Sequence, residues 1–241
     1  MGSFTAVSIA SGQYFLAQIN DEMKMMNLKL DDILEFLYGD KKAELVAELS
    51  FIKYAYENYG SIMEHEHQRS ATIASLQDAK IVAMKDIEFY INDLEKTVTH
   101  KVKDFADLIK RTQKSLQIKE CLSLSQQLYV MSSMMEIFYA QNMDSNYLKY
   151  IEKDVLSFID KCDKRMLASF STLKGLLDGY KGNPLEKVDK TKCEPIIERI
   201  INDLNDGEES SMRKAVRSTL HAPEKKTEYY IDNSGDVYLR A

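Results

Sequence analysis

Residues 16–37 read LAQINDEMKMMNLKLDDILEFL. In this stretch Leu16, Ile19, Met23, Met26, Leu30, Ile33 and Leu37 fall at intervals of 3, 4, 3, 4, 3 and 4. An apolar period of 3.5 keeps one stripe of a helix turned toward a neighbouring helix, the pattern of a coiled-coil seam. Asn20, Asp21, Lys24, Lys29, Asp31 and Asp32 lie between the seam positions and suit a solvated face. Gly39 follows the last seam residue, where glycine commonly ends a helix in a left-handed conformation. The seven residues form the candidate interaction seam, facing a second copy of the chain or another helical protein, with packing on the chain's own helices as the alternative that satisfies the same pattern.

The same rhythm runs on through the chain. Asp40 is placed to start a second helix, in which Leu45, Leu49, Ile52, Tyr56, Tyr59 and Met63 continue the alternation of 4 and 3. Gly60 is the expected point of a kink, since glycine inside a helix costs about 1 kcal/mol. Neither Gly nor Pro occurs from Ser61 to Lys174, which excludes a sheet-rich fold with its frequent turns. Ile73, Leu76, Ala83, Ile87, Leu94, Val98, Val102, Phe105 and Ile109 keep helical spacing, with Lys80 intruding. An unbroken helix over 61–117 would be ~85 Å long at 1.5 Å per residue. Such a rod requires either an elongated molecule or a bend.

From Cys121 to Ala140 the chain is apolar on most of a helix circumference, with Leu122, Leu124, Leu128, Tyr129, Val130, Met131, Met134, Met135, Ile137, Phe138 and Tyr139. A helix of that kind is buried by several neighbours, so this segment is the expected centre of a bundle. Asn142-Met143-Asp144 reads as a turn, with Asp144 or Ser145 capping a helix that carries Leu148 through Leu177. Gly175, Gly179, Gly182, Asn183 and Pro184 form the first cluster of breakers, and Asn183-Pro184 suits a helix start. Pro195 suits a restart, Asp206-Gly207 an end, and 208–221 one more short helix. The tail changes period: Glu228–Asp232 and Asp236–Arg240 flank Asn233-Ser234-Gly235 and read as a β-hairpin. The fold class is therefore all-α, an elongated bundle of long heptad-patterned helices with a short C-terminal hairpin. A long-helix domain over 1–180 and an appendage over 181–241 are the expected division.

Composition narrows the chemistry. Thirty-two Lys and Arg are interleaved with 38 Asp and Glu for a net charge of −6. A nucleic-acid partner is not expected from a chain with no basic stripe. Cys121, Cys162 and Cys193 are far apart and make no Cys-x-x-Cys pair, which suits reduced thiols in the cytoplasm. The most apolar N-terminal run, Phe4 to Ile19, is interrupted by Ser8, Ser11, Gly12 and Gln13 and falls short of a membrane span. Ala6 stands where an N-myristoylation signal wants Ser or Thr, and the natural chain is expected to begin further upstream.

Glu64-His65-Glu66-His67 resembles a metal cluster only on paper. On a helix His65 and His67 would point roughly 200° apart, so they cannot share an ion from one face. His100 and His221 stand alone, and Glu44 and Glu48 read as members of a solvated helix face. Sequence motifs for a nucleophile elbow, a phosphate loop or a dinucleotide fold are missing, so no cofactor and no enzymatic activity is expected. Met23, Met25, Met26, Met131, Met134 and Met135 read as core fillers rather than an adaptable binding surface. Tyr54, Tyr56 and Tyr59 read as interhelical contacts with hydroxyls at the rim.

Ser8-Ile9-Ala10-Ser11, Ile33-Leu34-Glu35-Phe36-Leu37 and Lys41-Lys42-Ala43-Glu44-Leu45 together resemble an uncharacterised type of bacterial helical, coiled-coil protein. The resemblance covers about the first 60 residues and implies a coiled coil with further sequence upstream. It implies no catalytic or ligand residue. The function expected is a non-enzymatic interaction or oligomerisation module. The competing expectation is a membrane-active protein resembling α-helical pore-forming toxins, with Phe4–Ile19 or Leu122–Tyr139 as its apolar segment.

Overall fold

The computed structural model describes Lys24, Leu37 and residues 40–182, 186, 188–206, 211–221, 229–231 and 237–239. Among these, seven α-helices pack against one another. They are α1 (Asp40–Glu57), α2 (Tyr59–Glu64), α3 (Glu66–Thr99), α4 (Phe105–Ala140), α5 (Ser145–Gly179), α6 (Glu194–Asn205) and α7 (Ser211–His221). A 3₁₀ turn, Lys190–Lys192, precedes α6. Strands β1 (Tyr229–Ile231) and β2 (Val237–Leu239) pair antiparallel, Tyr230 opposite Tyr238. The turn expected at Asn233–Gly235, the Gly39 cap, Asn183 and Pro184 lie outside the described residues. The helix expected to start at Asn183-Pro184 begins only at Glu194, beside the restart expected at Pro195, since Glu186, Val188 and Asp189 are not helical.

The rod anticipated over 61–117 is folded in two. The chain leaves the helix at His100, where the backbone is extended, and re-enters at Phe105. Neither Gly nor Pro breaks it; side chains do. Asp104 caps α4 by accepting from the Asp107 N–H at 2.7 Å. Asp107 in turn accepts from the Lys103 N–H at 3.1 Å. Arg111 reaches back from the second turn of α4, donating to the Lys101 carbonyl at 2.6 Å, to the His100 carbonyl and to Asp107 Oδ2 at 2.7 Å. Together these contacts satisfy backbone groups that both helix ends leave open. The break at His65, again extended, separates α2 from α3, and the kink placed at Gly60 occurs instead at Asn58.

Paired side chains show how the long helices run. Lys114 meets Asp93 at 2.9 Å, Lys80 meets Glu136 at 2.8 Å, and Arg69 meets Gln141 at 3.4 Å. As the α4 number rises the α3 number falls, so the two helices form an antiparallel hairpin. Gln126–Asp163 and the Tyr129–Phe158 ring pair place α5 antiparallel to α4. Arg165 ties α5 to Glu88, Asn92 and Glu95 of α3. α6 and α7 return onto α5, the first through Lys174 and Glu198, the second through Arg213 with Asp163 and His221 with Glu152. Their Ile197, Ile200, Val216 and Leu220 join the same core as Phe170 and Leu128. The division expected at residue 180 thus coincides with a loop, beyond which the chain comes back to the bundle.

α4 lies at the centre. From Cys121 to Tyr139 its side chains are buried on nearly every side, including Met131, Met134 and Met135. These three methionines fill core, while Met23, Met25 and Met26 lie outside the described residues. Ser125 and Ser133 are accommodated by donating to the carbonyls four residues earlier, Cys121 and Tyr129.

The turn into α5 depends on one capping side chain. Asp144 accepts from both the Asn146 and Tyr147 N–H groups at 3.0 and 2.9 Å. Replacing it with Ala should cost about 1 kcal/mol of unfolding free energy, and Asp144→Asn should recover most of that. Urea denaturation of the two variants beside the parent checks this, and an unchanged midpoint for Asp144→Ala would refute it.

Candidate functional site

Six of the seven seam residues, Leu16, Ile19, Met23, Met26, Leu30 and Ile33, lie outside the described residues. The seventh, Leu37, is buried in the chain's own core. Lys24, between Met23 and Met26 in sequence, is helical and exposed. The last step of the seam therefore lands where α1 joins the bundle, and α1 is where the unusual chemistry lies.

α1 keeps the stripe its apolar spacing suggested against the core, but turned so that part of it sits at the rim. The fully buried positions are Leu45, Glu48, Ile52 and Ala55, while Leu49 and Tyr56 are half-buried. Spacings of 3, 4 and 3 put a carboxylate in the middle of the apolar stripe. Glu48 is 8% exposed, and neither side-chain oxygen has a hydrogen-bond partner. The reading of Glu48 as part of a solvated face is thus corrected: α1 is rotated so that Glu48 faces inward and Leu49 sits at the rim. Tyr54 stays exposed, whereas Tyr59 turns inward and meets Tyr139 edge to face, with centroids 5.1 Å apart. The Tyr139 hydroxyl donates to the Ala55 carbonyl at 2.7 Å.

A charged cluster surrounds the orphan carboxyl. Lys41, one end of it, pairs with Glu44 at 2.7 Å on its own helix and with Asp86 on α3. Its ammonium also lies over the Phe89 ring, 5.8 Å from the centroid. Asp86 is 3% exposed. Burial raises its pKa, and the hydrogen bond from Lys41 offsets part of that rise. Burial works against the Lys41 ammonium, but its hydrogen bonds to Asp86 and Glu44 prevail and its pKa is raised. Glu48 gains no such compensation. Desolvation first, then the charges of Asp86 and Glu44, push its carboxyl from the ordinary 4.5 to about 8, with Lys41 opposing weakly.

Tyr90 and Cys121 line the same region, and burial raises both, the thiol to about 12. A thiol held so far up is not a nucleophile near neutrality. Both Glu48 oxygens are shut off from solvent. Enclosed in this way, the carboxyl meets water or any other proton acceptor only when the packing around it opens.

The other polar clusters are clamps between helices. Arg165 forks across Glu88, Glu95 and Asn92, raising its own pKa through the hydrogen bond to Glu95. Arg213 is nearly buried between Asp160 and Asp163. Cys162 is pushed up to about 12 by burial, and Cys121, Cys162 and Cys193 are all buried thiols. His65 sits at the break before α3 rather than within a helix, its Nδ1 at 2.9 Å from the Ser61 carbonyl. Among the described residues, no three His, Cys, Asp or Glu side chains converge as a metal site would require. Also among them, no helix is long and apolar enough to cross a membrane.

Compared with family models, curated proteins and solved structures, the chain matches none.

The Glu48 site has a consequence for stability. Its folded-state pKa lies above its unfolded one, so the folded protein holds a proton that the unfolded chain has released between about 4.5 and 8. Stability is then highest below that window, falls by ~1.4 kcal/mol per pH unit within it, and levels off above it. Asp107 and Asp160, held low by hydrogen bonds from Arg111 and Lys164, act only in the acid limb below the usual carboxylate range. Chemical denaturation from pH 5 to 9 should show this decline in the parent and a flatter profile in Glu48→Gln. Equal slopes for the two proteins would show that Glu48 is not its source.

Proposed function

We propose that this chain is a non-enzymatic interaction module that binds a second copy of itself, or another helical protein, through the stripe Leu16, Ile19, Met23, Met26, Leu30 and Ile33. The observation that carries this reading is the unbroken alternation of 3 and 4 over residues 16–37. A stripe of that regularity is far more apolar than a solvated helix needs, and it is shaped to accept knobs from a facing helix. Leu37 is used by the chain's own core, so the six earlier positions are the ones assigned to a partner.

Two features of the body support the reading. Its long helices α3, α4 and α5 contribute to one shared core. The polar clusters are structural clamps or closed to solvent, which suits a scaffold. A membrane-active role is the less economical reading, because burial at the bundle centre already accounts for the apolar run Leu122–Tyr139. We place the module in the cytoplasm on its three reduced thiols.

Light scattering on a sizing column tests the proposal. The parent chain should run as a dimer or larger, and Met26→Asp together with Leu30→Asp should reduce it to the 27.7 kDa monomer. A monomeric parent, with helix content retained, would remove self-association and leave a stripe packed on the chain's own helices or one kept for a different helical partner. An assembled parent whose mass survives both substitutions would refute the seam outright.

A further inference from the structure

α1 is attached to the bundle in an unequal way. Among the described residues, its polar ties to other helices are two. One is the Lys41–Asp86 pair at its start, and the other is the Tyr139 hydroxyl on the Ala55 carbonyl near its end. Between them lie Leu45, Glu48 and Ile52, all facing inward. At the far end Asn58 alone departs from helical angles, with φ −105° and ψ 14°, while its N–H still donates to the Tyr54 carbonyl at 3.1 Å and its carbonyl accepts from the Ile62 N–H at 2.9 Å. There the Asn58 side chain donates back to the Tyr54 carbonyl at 2.9 Å, closing the helix locally. Gly60 follows with open space around it. With this single irregular residue and the Tyr139 bond close beside it, Asn58 is the point about which the stretch before it would turn.

The charge arrangement decides what would turn that pivot. From α1 itself Lys41 and Glu44 bear on Glu48, and from α3 Asp86 and Tyr90 do. α4 contributes Cys121, coupled to Tyr90 and Asp86. The one cation in this set, Lys41, is already hydrogen-bonded to two carboxylates. A third carboxylate in the same enclosure has no donor within reach, since both Glu48 oxygens lack a partner. A neutral carboxyl can stay there. A charged one is stable only in water.

We propose that Glu48 is a proton-controlled latch. With the proton on its carboxyl, α1 lies docked on α3 and α4. When the proton passes to solvent, the carboxylate leaves the interface and Lys41–Ile52 swings outward about Asn58. The movement exposes Leu45 and Ile52 and the α3 and α4 surface beneath them, and it carries Leu37 out of the core. Mildly acid conditions therefore close the body and alkaline conditions open it at this one helix. The latch stands independently of the seam's partner, because every group in it belongs to the body of the chain.

Hydrogen exchange with mass spectrometry on the full chain tests it, with amides of α5 from Val155 to Leu177 as the internal reference. After correction for intrinsic exchange, the opening constant of 45–52 should rise roughly tenfold per pH unit between pH 6 and 8, while α5 stays protected. Glu48→Gln should hold 45–52 protected up to pH 9. Glu48→Leu supplies a second variant that fills the site without any polar atom, in case the amide is poorly accommodated. A pH-independent opening constant in the parent would overturn the proposal, as would parallel loss of protection in α5, which would mean global loosening. An opening that persists unchanged in both variants would also overturn it.

Discussion

Everything in this molecule is arranged around the need to bury one helix on all sides. Between Cys121 and Tyr139, α4 carries so many apolar side chains that no single neighbour could cover them. Exposing such a surface would cost ~25 cal/mol for each Å² left in water. The chain covers it by folding the preceding helix back along α4, laying α5 antiparallel against it, and returning α7 and α1 to the remaining sides. The hairpin link at His100–Asp104, the Asp144 cap and the interhelical clamps at Arg165 and Arg213 follow from that demand. Each fixes where a neighbour of α4 begins, ends or lies.

The clamps differ in weight. Lys80–Glu136, Lys114–Asp93 and the Arg165 fork lie partly in water, where exposed pairs contribute little and mainly set register. Arg213 with Asp163 and Lys41 with Asp86 each place a charged partner well inside the protein. Removing one member of such a pair leaves a buried charge without its counterpart. Glu48 belongs to neither class. It is an unpartnered buried carboxyl beside Asp86 and Glu44, which oppose its charge, and Lys41, which favours it weakly, and it holds its position by keeping its proton. That makes α1 the one helix of the described bundle whose docking depends on an unpartnered ionisable group. It is also the helix that connects the bundle to the heptad stripe.

Most of the architecture was legible without coordinates. The long span free of Gly and Pro, the 3–4 spacing and the wholly apolar segment at 121–140 are local properties, and each has one economical structural solution. Helix period, capping at Asp144, the short helix ending at 221 and the central place of α4 all follow from residues within a few turns of one another. The bend at 100–104 was not legible, because it is made by Asp104, Asp107 and Arg111 satisfying carbonyls and amides, and these are ordinary helix residues in composition. Only their joint geometry stops one helix and starts the next.

Glu48 shows the same boundary from the side of function. Leu45 and Ile52 flank it at helical spacing, so its place on their face could have been suspected. Leu49 and Tyr56 supplied an equally regular stripe a few tens of degrees away. Local spacing cannot choose between two adjacent stripes; the surface underneath does, and here α3 and α4 turn α1 onto Glu48. The sequence by itself determined that the fold is all-α, how apolar its main helical segments are, and the 3–4 apolar spacing over 16–37. The tertiary structure alone decided which way α1 is rotated, and with it that one carboxyl is enclosed beside Asp86. Burial is a property of what surrounds a residue, and residues distant in the chain supply those surroundings.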